Sequence, residues 1–113
     1  MRREYLLTPR SGFVPVLVPE NEAEFITGVN TPMFTRSYAG MLFDFGAPVK
    51  AEMTMVRTPH SLQIAFFGPD GRCHTVHNAP MFTGVYASPY PTRWVVETPK
   101  KFYRVGDRLV IRV

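Results

Sequence analysis

Leu62-Gln63-Ile64-Ala65-Phe66-Phe67 runs into Gly68-Pro69-Asp70-Gly71 and out again through Arg72-Cys73-His74-Thr75-Val76-His77, and this stretch decides the fold. Five of the first six residues are apolar, with the aromatic and β-branched content of a buried strand. Gly, Pro and Asp bend a backbone tightly, Asp by accepting hydrogen bonds from the chain just beyond it. Two strands joined by so short a turn form an antiparallel hairpin.

The same texture continues outward. Eleven Pro and eight Gly are scattered through 113 residues, dividing the chain into pieces of about five to ten residues, which suits strands and turns more than long helices. Hydrophobic residues make up 45% and nine are Phe, enough for one core, so residues 1–113 read as a single α+β, β-dominated domain. Residues 13–18, Phe-Val-Pro-Val-Leu-Val, form a strand that Pro15 confines to a sheet edge or a bulge. Asn21 caps a two-turn helix over residues 21–28, Glu24 completes a capping-box-like start, and Gly28 ends it. Residues 41–45, 53–56 and 94–97 read as further strands. Residues 78–92, where Pro80, Gly84, Pro89 and Pro91 interleave with Phe82, Tyr86 and Tyr90, read as a long aromatic loop. Residues 108–113 make a last strand with Leu109, Ile111 and Val113 on one face and Arg108 and Arg112 on the other.

The formal net charge is +4, and its placement is uneven. Seven basic and seven acidic residues balance over 1–92, whereas 93–113 carries Arg93, Lys100, Lys101, Arg104, Arg108 and Arg112 against Glu97 and Asp107. Such an edge can meet phosphates or an acidic surface, and Lys and Arg also guard edge strands against unwanted pairing. The opening Met1-Arg2-Arg3-Glu4-Tyr5-Leu6-Leu7-Thr8-Pro9 has the basic start of an export signal, but its apolar run is short and Pro9 interrupts it, so no signal peptide is read. No window approaches the roughly 20 apolar residues of a membrane span. A lone Cys73 forms no internal disulfide, which fits a reducing compartment. The expected location is cytoplasmic or particle-associated.

Several of these segments together resemble the domain of unknown function 192 family. The resemblance rests on the helix at 21–28, Gly40-Met41-Leu42-Phe43-Asp44-Phe45, Thr54-Met55-Val56-Arg57-Thr58, the strand at 62–66 with Asp70-Gly71-Arg72, Tyr86-Ala87-Ser88 with Trp94-Val95-Val96-Glu97, and Gly106-Asp107-Arg108. The intervals from Gly28 to Gly40, Met55 and Gly71 need no gap. The resemblance implies a small, curved, barrel-like antiparallel sheet and little about activity. This chain also departs from the family's pattern. A usual Met-x-Arg after the helix glycine is replaced by Asn30 and Pro32. The hallmark Phe-Trp-Met-Lys-Asn-Thr reads Met53-Thr54-Met55-Val56-Arg57-Thr58, and Ile-Pro-Leu-Asp-Ile reads His60-Ser61-Leu62-Gln63-Ile64. The span between Glu97 and Gly106 is short, so the family's late helix is expected to shrink to a turn. A neutral amide at Gln63 cannot replace a carboxylate as general base.

Each chemistry-bearing residue also has a structural role open to it. Cys73, His74 and His77, with His60, suggest a metal. On one strand, however, Cys73 and His77 lie about 13 Å apart and His74 points the other way, so no metal site is expected. Among the carboxylates Asp44, Glu52, Asp70 and Glu97, Asp70 belongs to the turn, Glu97 follows an apolar strand and is a partner for a nearby Arg, and Asp44 between two Phe faces solvent or a cleft. Ser61 beside His60 is adjacency, which alone makes no nucleophile and base. No phosphate loop or CxxC pair occurs, and no cofactor is expected.

The leading expectation is therefore a non-catalytic interaction or structural module, fit for a viral or other large assembly. Its partner would be a protein or a second copy, met through Phe82, Tyr86, Tyr90, Arg93 and Trp94. The alternative is a protein handling a small ligand or carbohydrate, catalytic or not, in a cleft near Asp44, Thr58 and Gln63. A third is a basic nucleic-acid binder using Tyr90, Arg93, Trp94, Lys100, Lys101, Phe102, Tyr103 and Arg104 to clamp and stack a single strand.

Overall fold

The computed structural model describes residues 1–112. Val113, expected on the inward face of the last strand, lies outside them. Nine strands and one short helix follow in the order β1 (Arg2–Thr8), β2 (Gly12–Val18), α1 (Glu22–Thr27), β3 (Gly40–Val49), β4 (Glu52–Thr54), β5 (Leu62–Phe67), β6 (Cys73–Ala79), β7 (Val85–Ala87), β8 (Thr92–Thr98) and β9 (Ile111–Arg112). Seven strands form one sheet in the order β6-β5-β8-β3-β2-β1-β9, and β4 pairs with β7 in a small second sheet.

The hairpin forms as expected. β5 and β6 pair antiparallel from Leu62–Ala79 to Phe67–Cys73, with a register shift beside the turn. The turn closes through Gly68 N–H to Arg72 O at 2.9 Å, and Arg72 N–H donates to Asp70 Oδ1 at 3.0 Å. Gly71 sits at φ 79°, a region that penalises a Cβ. α1 also forms where its signals place it. Asn21 Oδ1 accepts from Glu24 N–H at 2.9 Å, Glu24 Oε1 accepts from Glu20 N–H at 2.8 Å, and a single 3-10 turn (Gly28–Asn30) follows.

Other expectations change. Residues 2–8, read only as a poor export signal, form β1, which pairs with β2 along seven residues. β2 is therefore interior, although Pro15 pointed to an edge. The Pro15 carbonyl faces the β3 side and accepts from Ala39 N–H at 2.8 Å, while the β2–β3 ladder starts only at Val16–Gly40, so proline's missing donor falls where the ladder opens. That pair is parallel, which makes the sheet mixed, and residues 19–39 with α1 supply the crossover a parallel pair needs. The expected loop at 78–92 instead contributes the end of β6 and all of β7. The stretch at 99–107 holds turns and no helix, as its shortness indicated. The final strand is reduced to β9, and Arg108 adds an isolated bridge to Arg72. The main sheet is open, with β6 and β9 at its edges.

Apolar clusters cover both faces of this sheet. Met41, Phe43, Ile64, Phe66 and Val95 belong to the cluster that packs with Phe25 of α1. Leu42, Ala65, Phe67 and Val96 belong to the other, with Leu6, Val16, Val18 and Tyr103. β3 and β8 approach closely where β3 begins. A Cβ on Gly40 would strike the Glu97 carbonyl oxygen and come within 2.6 Å of Thr98 Cγ2. We therefore expect Gly40→Ala to cost about 3 kcal/mol in chemical denaturation. Gly84→Ala, with nothing within 4 Å of the added atom, should stay within about 0.5 kcal/mol.

Candidate functional site

An open cleft of about 680 Å³ lies between α1 with its 3-10 turn on one side and residues 52–58 on the other. That is the size of an ordinary small-molecule site. Phe43 and Phe45 of β3 and Glu97 of β8 line it from the main sheet, and Phe25 from the helix. Phe25 stands edge-on to Phe43 and tilted to Phe45, both at 5.7 Å between centroids, so three rings form one apolar wall. Met53, Val29 and the exposed Ile26 and Val56 extend it to the rim.

Glu97 is the unusual member. It lies two residues beyond Val95 on β8, so it projects to the α1 side of the sheet, opposite Met41 and Ile64 in register. It is 4% exposed. The Arg partner expected from the sequence is not there: among the described residues no cation and no hydrogen-bond donor meets its carboxyl. Burial alone acts on the group and raises it from an ordinary 4.5 to about 7.

Asp44 shows the opposite outcome. Burial pushes its carboxyl up, but Arg93 Nε at 2.9 Å and Gly46 N–H at 2.8 Å outweigh that and hold it below its usual range. Asp44, Thr58 and Gln63 do not converge on one site. Thr58 lines the cleft, and Asp44 is engaged with Arg93. Gln63 is buried as a backbone clamp, its Nε2 donating to Tyr103 O at 3.0 Å and its Oε1 accepting from Tyr103 N–H at 2.9 Å. Beside that clamp a second hollow, about 510 Å³, is bordered by Arg10, Lys101 and Arg104, and Arg10 is paired with Asp107 at 3.1 Å.

The proposed partner surface is spread out. Phe82, at φ 60°, and Tyr90 are exposed. Tyr86 is half-buried, hydrogen-bonded to Thr83 and packed on His77. Arg93 lies over the Trp94 ring at 4.7 Å, so the ring has one face already occupied. Tyr103 is buried and Phe102 half-buried, which removes two of the rings a nucleic-acid strand would need.

The histidines serve structure. His74 joins Thr75, Ser88, Thr92 and the Pro91 carbonyl through both ring nitrogens, and burial lowers its pKa despite the carbonyl. His77 Nε2 lies 3.0 Å from Ala87 O. Together they staple residues 87–92 to β6. Burial pushes the Cys73 thiol up to about 11, away from thiolate chemistry. Among the described residues no cluster of His, Cys, Asp or Glu is arranged to hold a metal. Ser61 Oγ accepts from Met81 N–H at 3.2 Å, a loop anchor.

With this geometry the chain can be compared with known proteins. A family model, DUF192, described as an uncharacterized ACR, matches residues 8–111. The chain belongs to this family. A solved structure from Sinorhizobium meliloti 1021, named as a candidate transcription regulator, is 30% identical with a TM-score of 0.76, over 96% of this chain and 92% of that one. A protein of unknown function from Novosphingobium aromaticivorans DSM 12444 shares the fold at 23% identity and a TM-score of 0.77, over 95% of this chain and 83% of that one. No curated protein matches.

Two measurements test these side chains. Gln63→Leu strands the Tyr103 N–H and carbonyl and should cost about 2–4 kcal/mol in denaturant. The raised pKa of Glu97 means that the folded state holds a proton the unfolded chain has lost between about 4.5 and 7. Its contribution to stability is thus fully present below pH 4.5 and is lost as pH rises through 7. Glu97→Gln should match the parent at pH 4.5 and exceed it by roughly 3 kcal/mol at pH 8. Parallel urea titrations at the two values read this directly, and an unchanged difference would refute the burial effect.

Proposed function

We propose that this member of the family is a small-ligand-binding domain whose ligand seats in the cleft between α1 and β4. The carrying observation is the unpartnered Glu97 carboxyl in a cleft where Phe25, Phe43 and Phe45 form an apolar wall. A buried ionisable group without a protein partner costs stability, and a ligand that supplies the partner recovers it. Catalysis would require a second reacting group, and Thr58, Asn30 and Arg57 line the same cleft.

A second reading, the interaction module, draws support from Met81, Phe82, Val85 and Tyr90, all exposed on and beside β7. The partner would be a protein or a second copy, and a particle-associated role remains within this reading. The relative named as a candidate transcription regulator supports nucleic-acid binding by analogy alone. The main sheet stays open, and the feature that favours a barrel-like arrangement is the set of hydrogen bonds tying residues 71–73 to 106–109, among them Cys73 N–H to Asp107 O at 2.8 Å and Leu109 N–H to Gly71 O at 2.8 Å.

A fragment screen followed by amide and methyl NMR tests the cleft. Shifts should concentrate at Val29, Thr54, Val56 and Thr58. Thr54→Trp, at an exposed position of β4, should fill the mouth and weaken binding at least about tenfold. Perturbations centred on Phe82 and Tyr90, or binding unaffected by the tryptophan, would favour the second reading instead.

A further inference from the structure

We infer that the cleft selects a monovalent organic cation with an apolar body, an arylalkyl or alkyl amine, whose ammonium group meets the Glu97 carboxyl and whose hydrocarbon lies against Phe25, Phe43 and Phe45. This deepens the ligand-binding reading and rests on it.

Charge is the first ground. The protein as a whole carries +4, yet the cleft reverses that sign. Glu22 faces it from α1, Glu52 from β4 and Glu97 from β8, against Arg57 alone from the turn after β4. An anionic ligand would meet three carboxylates and one guanidinium, whereas an ammonium finds an excess of acceptors. The second ground is burial. Glu22, Glu52 and Arg57 are exposed and solvated, so their attraction is weakened by water and salt. Glu97 is 4% exposed without a protein partner, and a charge-assisted hydrogen bond is strongest where water is excluded. The third ground is the wall. Aromatic faces attract a cation and accept hydrocarbon equally well, so one surface serves both ends of an amphipathic amine.

Proton linkage sharpens the inference. A cation stabilises the ionised carboxyl, so amine binding competes with protonation of Glu97, whose pKa burial sets at about 7. Binding should be full at pH 8, where a primary amine, with a pKa near that of Lys at about 10.4, is still charged. It should decline as pH falls through 7.

The test is calorimetric titration of the full chain with 2-phenylethylamine, 2-phenylethanol and 3-phenylpropionate, matched in size and different in charge. The amine should bind about tenfold tighter than the alcohol at pH 8, and the carboxylate weakest. By pH 5.5 the amine should fall to the alcohol's affinity. Glu97→Gln, expected to be more stable than the parent at pH 8, should remove the amine's advantage while keeping alcohol binding. Alcohol or carboxylate binding as tight as the amine's, displaced by Thr54→Trp, would overturn cation selection and leave the cleft reading standing. Absence of binding by all three, with no cleft shifts in the fragment screen, would overturn both.

Discussion

β5, the stretch of β8 from Val95 to Thr98 and the first four residues of β3 are buried on both faces, and the rest of the molecule answers to that constraint. Every residue of β5 is buried, and β8 is buried from Val95 through Thr98. On strands so enclosed, alternation no longer separates inside from outside, so each polar side chain must find a partner within the protein. Gln63 does so through the Tyr103 backbone. Thr98 Oγ1 donates to the Lys100 carbonyl, and Thr92 bonds Tyr90 O and His74. These bonds fold the segments after and before β8 onto the sheet. The Glu97 carboxyl and the Trp94 indole N–H are exceptions on β8.

The contrast between Glu97 and Asp44 shows how environment sets the chemistry of like groups. Asp44 lies where β3 leaves its regular register with β8, close to solvent, and the irregularity presents it with Gly46 N–H and Arg93. Its charge is stabilised and its role is to fix the end of the β3–β8 pair. Glu97 lies on a regular stretch, held there by the close approach of Gly40 to its own carbonyl. Its side chain faces the cleft, where no described residue pairs with the carboxyl.

The hairpin, α1 and the apolar strands were legible because local signals and final environment agree: turn residues at the turn, a cap at the helix start, continuous apolar runs in the centre. β1 was hidden by a charged, export-like opening, and its strand character comes from pairing with β2 rather than from its own sequence. Pro15 misled because its effect depends on where a neighbouring ladder begins. Glu97 was visible as a carboxylate ending an apolar strand, yet its importance depends on what is missing around it. A sequence lists the cations but does not place them, so an Arg partner was a reasonable expectation that the fold does not meet. Gln63 was grouped with Asp44 and Thr58 by type, and the fold separates all three.

Where the chain departs from its family's pattern can now be located. Within Met53-Thr54-Met55-Val56-Arg57-Thr58, Met55 and Thr58 are the residues that keep the pattern. Met55 is fully buried in the core, and Thr58 N–H and carbonyl bond Met55 O and Phe82 N–H. The four that differ, Met53, Thr54, Val56 and Arg57, all line the cleft, as does Asn30. Thr58 lines the cleft too, so of the six only Met55 turns wholly into the core. Gln63, where the pattern has Asp, departs elsewhere, as the buried clamp on the Tyr103 backbone. The departures therefore fall in at least two places, and those in the cleft wall alter the surface that the proposed ligand would meet.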